Sequence, residues 1–139
     1  MAVYITQSDL ETRFSQPEIL ELADRDADGL VDTGVIDTAI ADAGDLIDSY
    51  ISKRYDLPLS QTPTAIKKVA CDLARYFLHD NEPSDRVAAG YKDAVSFLKD
   101  IAVGRAELDV GGVEPAGRTN AVIIDGPERV FTSKTLEDF

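Results

Sequence analysis

The stretch from Asp24 to Tyr55 constrains this chain more than any other. It opens with DRDADGLVD, four aspartates and a glycine within nine residues, and runs straight into the longest helical pattern in the sequence. Apolar side chains recur there at Val35, Ile36, Ala39, Ile40, Ala43, Leu46, Ile47, Tyr50 and Ile51. Spacings of three and four place them on one face of an α-helix. Thr33 can cap its start, and Pro58 bars its continuation. A helix over residues 33–55 would be roughly 34 Å long at about 1.5 Å per residue. With a single apolar stripe, it is a spine on which shorter helices must pack.

Shorter patterns flank it. Ser8 and Glu11 have the spacing of a capping box, which predicts a first helix over about 7–13 with Leu10 and Phe14 on its apolar face. Pro17 suits the first turn of a second helix, with Ile19, Leu20 and Leu22 as its buried side and its end at Asp24. Residues 56–63 carry two prolines and read as a connection, with Leu57 and Leu59 tucked against the core. A fourth helix is expected over about 63–79, buried through Ile66, Val69, Ala70, Leu73, Ala74, Phe77 and Leu78. Ser84 or Asp85 starts a fifth, with Val87, Tyr91, Ala94, Val95, Leu98, Ile101 and Ala102 inward and Gly104 as its stop. The expected fold is all-α: a bundle of about five helices around one long helix, over residues 1–104.

Periodicity then ends. Residues 105–120 contain Gly111, Gly112, Pro115 and Gly117 and read as a flexible linker. Residues 121–139 follow, with a β-type run at 121–124 and spaced apolar groups. They read as an extended, partly β-type docking tail, or as strands folded back on the same domain.

Charge is unevenly placed. The chain of 139 residues has a net charge of −12. Its first 50 residues hold twelve acidic side chains against Arg13 and Arg25 alone, a net −10. Such a surface repels phosphate backbones and argues against tight or sequence-specific nucleic-acid binding. It equally suits a wall that nucleic acid slides past, or plain solubility. No apolar run is long enough for a membrane span, and the N-terminus lacks the pattern of a signal peptide. The single cysteine, Cys71, excludes an internal disulfide and fits a reducing compartment.

The acidic loop carries the one motif with chemistry attached. A calcium loop of the EF-hand type places oxygen donors at positions 1, 3 and 5, glycine at 6, a backbone carbonyl at 7, a further group at 9 and a bidentate glutamate at 12. Those positions here are Asp24, Asp26, Asp28, Gly29, Leu30, Asp32 and Val35. The match holds to position 9 and fails at 12, because Val35 offers no oxygen from its side chain. Two readings stand. In one, the loop holds a structural divalent cation such as calcium, which would quiet the repulsion among three carboxylates. In the other, the aspartates shape a turn, and Asp32 or Thr33 caps the long helix for about 1 kcal/mol. His79 falls at the end of the fourth helix and Cys71 beside its apolar stripe, and neither has a catalytic partner in the sequence. No phosphate loop, dinucleotide fingerprint, zinc spacing or nucleophile elbow is present, so an enzyme is not expected.

Several segments, in order, resemble the small all-α head–tail connector proteins (adaptors, or head-completion proteins) of Mu-like tailed phages and prophages. They are YITQSDLETRF, EILELADRDADGLVD, IDSYISKRYDLPL, VACDLARYFLHD, YKDAVSFLKDIAVGRAELDVG and the closing RVFTSKTLEDF. The resemblance implies a virion protein, made in the bacterial cytoplasm and placed at the capsid–tail junction. There it would form a ring of twelve copies beneath the portal, joining it to a stopper or tail-completion protein while DNA passes through. It implies no enzymatic activity. It also implies that the tail reaches the portal or a neighbouring subunit, with Arg129, Phe131, Leu136 and Phe139 as the contact residues. The alternative from the residues alone is a solitary calcium-binding module that controls a protein partner.

Overall fold

Each apolar periodicity becomes a helix. The computed structural model describes residues 3–109, in the order α1 (Gln7–Phe14), α2 (Gln16–Ala23), α3 (Thr33–Ile51), α4 (Thr64–Leu78) and α5 (Asp85–Val103). No strand occurs among the described residues, and the fold is an all-α bundle. The tail expected at 121–139 and most of the linker before it lie outside them.

The ends of the helices follow from local chemistry, with three departures from expectation. The capping box of α1 forms two residues early. The Thr6 hydroxyl accepts from the Asp9 N–H, and the Asp9 carboxylate accepts from the Thr6 N–H at 2.8 Å. Tyr4 and Ile5 are buried, so the chain leaves the core directly into Thr6, which caps the helix in place of Ser8, while the helix itself begins at Gln7 as expected. The second departure is the end of α3, which stops at Ile51 and not Tyr55. The N–H groups of Arg54 and Tyr55 both return to the Ile51 carbonyl, at 3.0 and 2.9 Å. That tight turn drives the Tyr55 ring into the core, where it is 4% exposed. The helix is then about 28 Å long at about 1.5 Å per residue. Pro63 precedes α4 as its N-cap, Ser84 caps α5, and Gly104 closes α5 at φ +81° in the left-handed conformation. Only glycine enters that region without a Cβ penalty.

The third departure concerns the linker. Residues 105–109, expected to begin it, are fixed to the bundle. The Arg105 and Ala106 N–H groups return to the Asp100 carbonyl at 2.8 and 3.2 Å. Leu108 is buried, and its N–H donates to the Tyr55 hydroxyl at 2.8 Å. Leu108 is apolar and one short turn past the helix, close enough to reach the pocket beside Tyr55.

The core gathers around α4. This helix touches α1, α3 and α5, and buries Ile66, Val69, Ala70, Cys71, Leu73, Ala74 and Leu78. Its alanines and cysteine let neighbours approach on several sides while Ile66, Leu73 and Leu78 fill the gaps. α3 contributes Ile36, Ile40, Ile47 and Ile51, and α5 contributes Leu98 and Ile101. Each such side chain is stabilising by about 1.5–3 kcal/mol when fully buried. α3 remains a long helix against which others pack, but the helix they share is α4.

The Tyr55 anchor generates a prediction. Tyr55→Phe leaves the Leu108 N–H without its acceptor in a buried place, at a cost of about 1–2 kcal/mol. Urea denaturation should show that loss, and the Leu108 amide should exchange with solvent faster. Unchanged stability together with unchanged exchange would refute the anchor.

Candidate functional site

The acidic loop joins α2 to α3, and its aspartates organise their own backbone. Asp24 closes α2, its N–H donating to the Leu20 carbonyl at 2.9 Å. Its carboxylate accepts the N–H groups of Asp28 at 3.1 Å and Gly29 at 2.9 Å. Asp26 accepts from the Asp28 N–H at 3.2 Å, and Asp28 from the Leu30 N–H at 2.8 Å. Gly29 has φ +82°, as the turn position requires. Ala27 also lies in the left-handed region, at φ +60°, which the sequence did not signal. A non-glycine residue there costs on the order of 1 kcal/mol. The loop holds that strain because the carboxylates bind the N–H groups on either side of it.

The result is a trio. One carboxylate oxygen each from Asp24, Asp26 and Asp28 lies within 4.8 Å of the others. Three hard oxygens converging on one point are the donor type that suits a calcium or magnesium ion. The other expected ligands are placed differently. The Leu30 side chain is 68% exposed, and only its carbonyl could coordinate. Asp32 stands at the N-cap of α3, yet its side chain does not cap the helix. Its carboxylate turns back to accept the Arg25 N–H at 2.8 Å, outside the trio. Neither Asp32 nor Thr33 therefore provides the expected side-chain cap. Val35 packs against the core, so position 12 supplies no side-chain ligand.

The trio's electrostatics are uneven. At Asp24, slight desolvation is outweighed by the N–H donors of Gly29 and Asp28, which hold the carboxyl below its ordinary range. At Asp26 the Asp28 N–H pulls the other way, but desolvation and the nearby Asp24, Asp28 and Asp32 carboxyls leave it raised. Asp24 therefore favours the folded state when ionised, while the ionisation of Asp26 opposes it.

Sequence reasoning missed the residues that fasten this loop. Arg25 is the only basic residue between Arg13 and Lys53. Its guanidinium donates to the Leu78 carbonyl at 3.0 Å and forms an ion pair with Asp80. It thereby satisfies the C-terminal end of α4, where positive charge is favoured. Its isolation among acids was the available signal. Arg75 on α4 donates its Nε–H to Glu18 on α2 at 2.8 Å and lies 4.4 Å from the centre of the Phe14 ring on α1. Tyr4 donates its hydroxyl to Asp48 on α3. Burial, that hydrogen bond and the Asp48 charge all push the phenol well above its ordinary range. His79 follows α4 as expected, with Nδ1 2.8 Å from the Arg75 carbonyl oxygen. Cys71 is buried in the core, and burial raises its thiol. The tail residues Arg129, Phe131, Leu136 and Phe139 lie outside the described residues.

Comparison with known proteins places this architecture. A family described as Bacteriophage Mu, Gp36 matches residues 4–125, from the buried Tyr4 through the whole bundle. The chain belongs to that family. It is 32% identical over 108 residues to gene product J of Escherichia phage Mu, covering 77% of each chain. It is 28% identical over 140 residues to the Mu-like prophage FluMu protein gp36 of Haemophilus influenzae, covering 100% of this chain and 99% of the relative. The Mu Gp36 match begins before the acidic loop and runs beyond Leu108, so it includes both the loop and the segment pinned to Tyr55.

The opposed shifts in the loop can be tested by removing one charge at a time. A depressed carboxyl contributes stability that is present above its unfolded pKa, about 3.9, and lost as pH falls through its folded value. A raised one does the reverse. At pH 7 without added divalent cation, Asp24→Asn should lower the melting temperature and Asp26→Asn should leave it unchanged or raise it. Thermal melts showing equal losses in both variants would overturn this account.

Proposed function

We propose that this member of the Mu Gp36 family is a structural virion protein, a head–tail connector. In this reading twelve copies form a ring beneath the portal, join it to a stopper or tail-completion protein, and leave a passage for DNA. The observation that carries the reading is the family match over residues 4–125, joined to the ordered resemblance of the segments to phage connectors. The fold supports it in three ways. The described chain is a small bundle with several helices presenting outward faces. Its N-terminal half is strongly acidic, so phosphate backbones slide past the loop and α2 without sequence-specific adhesion. No described helix is long and apolar enough to cross a membrane. The tail, through Arg129, Phe131, Leu136 and Phe139, is the segment assigned to the portal or a neighbouring subunit.

Electron microscopy of the protein mixed with its portal tests this reading, with a ring at the portal base as the expected image. Deleting residues 121–139 should leave the helical spectrum and melting curve of the bundle nearly unchanged and abolish attachment to the portal. A truncated protein that still assembles on the portal would refute the role given to the tail.

A second reading of the loop is favoured by the convergence of Asp24, Asp26 and Asp28. Here the trio holds a structural calcium ion that stiffens the entry to α3. Without a position-12 ligand the affinity falls to the weak end of such loops, a Kd on the order of 10⁻⁴–10⁻³ M. Calcium at several millimolar would then stabilise the fold by about 1–2 kcal/mol. The melting temperature should rise by a few degrees, while EDTA leaves the helix content unchanged. A melting temperature indifferent to calcium removes the ion. A large calcium-dependent change in the spectrum would favour a calcium-controlled module over a connector.

A further inference from the structure

An open groove of about 460 Å³ lies where α1, α2 and the acidic loop meet. Its apolar surface comes from Pro17, Leu20, Leu30 and Val31. Helical spacing expects Leu20 in the core, but it stands half-buried in this groove instead. Leu30 is one of three large apolar side chains left exposed among the described residues, with Val3 and Val103. The backbone around Leu30 is fixed. Its N–H donates to the Asp28 carboxylate at 2.8 Å, and the Gly29 N–H to Asp24 at 2.9 Å. The Asp32 N–H then closes the loop onto the Ala23 carbonyl at 3.1 Å. Val31 packs against the core, so Leu30 is held at the rim with its apolar surface uncovered.

The charge around this groove has one sign. Glu11 lines it, and no lysine or arginine does. Glu21 follows Leu20 on α2 and is exposed, and Asp28 binds the Leu30 N–H. Among the described residues none of these three carboxylates forms an ion pair. Glu11 accepts from the Gln7 side-chain amide at 2.8 Å, which orients it without cancelling its charge. The two arginines of this half are placed elsewhere. Arg25 turns to Leu78 and Asp80, and Arg13 lines a separate cavity with Asp9, Lys67 and Cys71. Glu18, the other acid of α2, is taken by Arg75. The groove is apolar at its floor and acidic at its rim, with no cation among the described residues to balance it.

We propose that this groove takes an apolar side chain from a basic segment of another protein. The apolar anchor covers Leu20 and Leu30, and lysines or arginines on either side of it meet Glu11, Glu21 and Asp28. The volume falls in the range of specific pockets, about 300–1,000 Å³, which is ample for one large side chain. Charge also excludes other occupants. A second copy carries its own net −12, and nucleic acid and anionic lipid are repelled in the same way. The carboxylates that turn phosphates aside are the ones that draw lysine and arginine in. The inference goes beyond the ring reading and does not depend on it.

Nuclear magnetic resonance on the full-length protein tests this, in EDTA so that the acidic loop carries no divalent ion. The probe is a synthetic peptide with one phenylalanine flanked on both sides by lysines. Control peptides carry serine for the phenylalanine, or glutamate for the lysines. The phenylalanine peptide should shift the amide signals of Leu20, Gly29, Leu30 and Val31, and neither control should. Leu30→Ser, at an exposed position, should keep the melting curve and weaken binding by about tenfold or more, and Glu11→Gln/Glu21→Gln should weaken it by about tenfold. Asp37→Asn/Asp45→Asn removes the same charge from α3, away from the groove, and should weaken it far less. Shifts spread along α3, a serine peptide that binds as well, or no shift at the groove with millimolar peptide would each overturn the proposal. None of these results touches the ring reading, which is decided at the portal.

Discussion

The bundle depends on how thinly α4 is built. Ala70, Cys71 and Ala74 occupy its buried face between the larger Ile66, Leu73 and Leu78. A helix with large side chains throughout would hold its neighbours at the outer end of the usual 8–10 Å separation. This one has room for α1, α3 and α5 together. The two short N-terminal helices are then fixed by polar contacts that converge on α4: Arg75 reaches Glu18 and Phe14, and Arg25 reaches the end of the helix at Leu78. Apolar packing sets where the three long helices lie and buries Leu10, Ile19 and Ala23 of the N-terminal pair against them, and two arginines tie that pair to α4.

The acidic loop is an instance of the same division of labour. Its carboxylates satisfy backbone N–H groups in a turn that contains Gly29 and the strained Ala27, while its one cation leaves the loop to bind α4. The turn therefore needs no cation to satisfy the hydrogen bonds that shape it. An ion at the trio would act on the charges that, together with desolvation, raise Asp26, and not on the path of the chain. Loop geometry and ion affinity are separable properties of one short sequence.

Much of this was legible from residue spacing. Five helices, most of their inward residues, the glycine turn and the stop at Gly104 follow from periodicity and cap chemistry, while Leu20 and Ala102 lie outside the core and Ala23 inside it. Local rules misplaced the features that long-range packing decides. Ser8 and Glu11 have the spacing of a capping box, but burial of Tyr4 and Ile5 hands that role to Thr6 and Asp9. The apolar pattern of α3 continues through Tyr55, but the chain turns after Ile51 to bring that ring inward. Asp32 has the right position for a cap, yet the N–H of Arg25 competes for its carboxylate and holds it. The Tyr4–Asp48 and Arg75–Glu18 pairs join residues 44 and 57 positions apart, and no local pattern announces such partners.

The hydrogen bond from Leu108 to Tyr55 also fixes an origin. Because Leu108 is clamped beside the turn that ends α3, the path of the chain is fixed for four residues beyond Gly104. The search volume of a tethered segment is a sphere centred on its attachment, and its effective concentration at a target depends on that distance. A clamp at Leu108 in place of a free exit at Gly104 would shorten any tether that follows by four residues, roughly 13 Å of extended chain. It also gives every copy in a symmetric assembly the same point of departure. In the ring proposed above, identical points of departure would face equivalent targets, and the register of such an assembly would be written partly into one tyrosine hydroxyl.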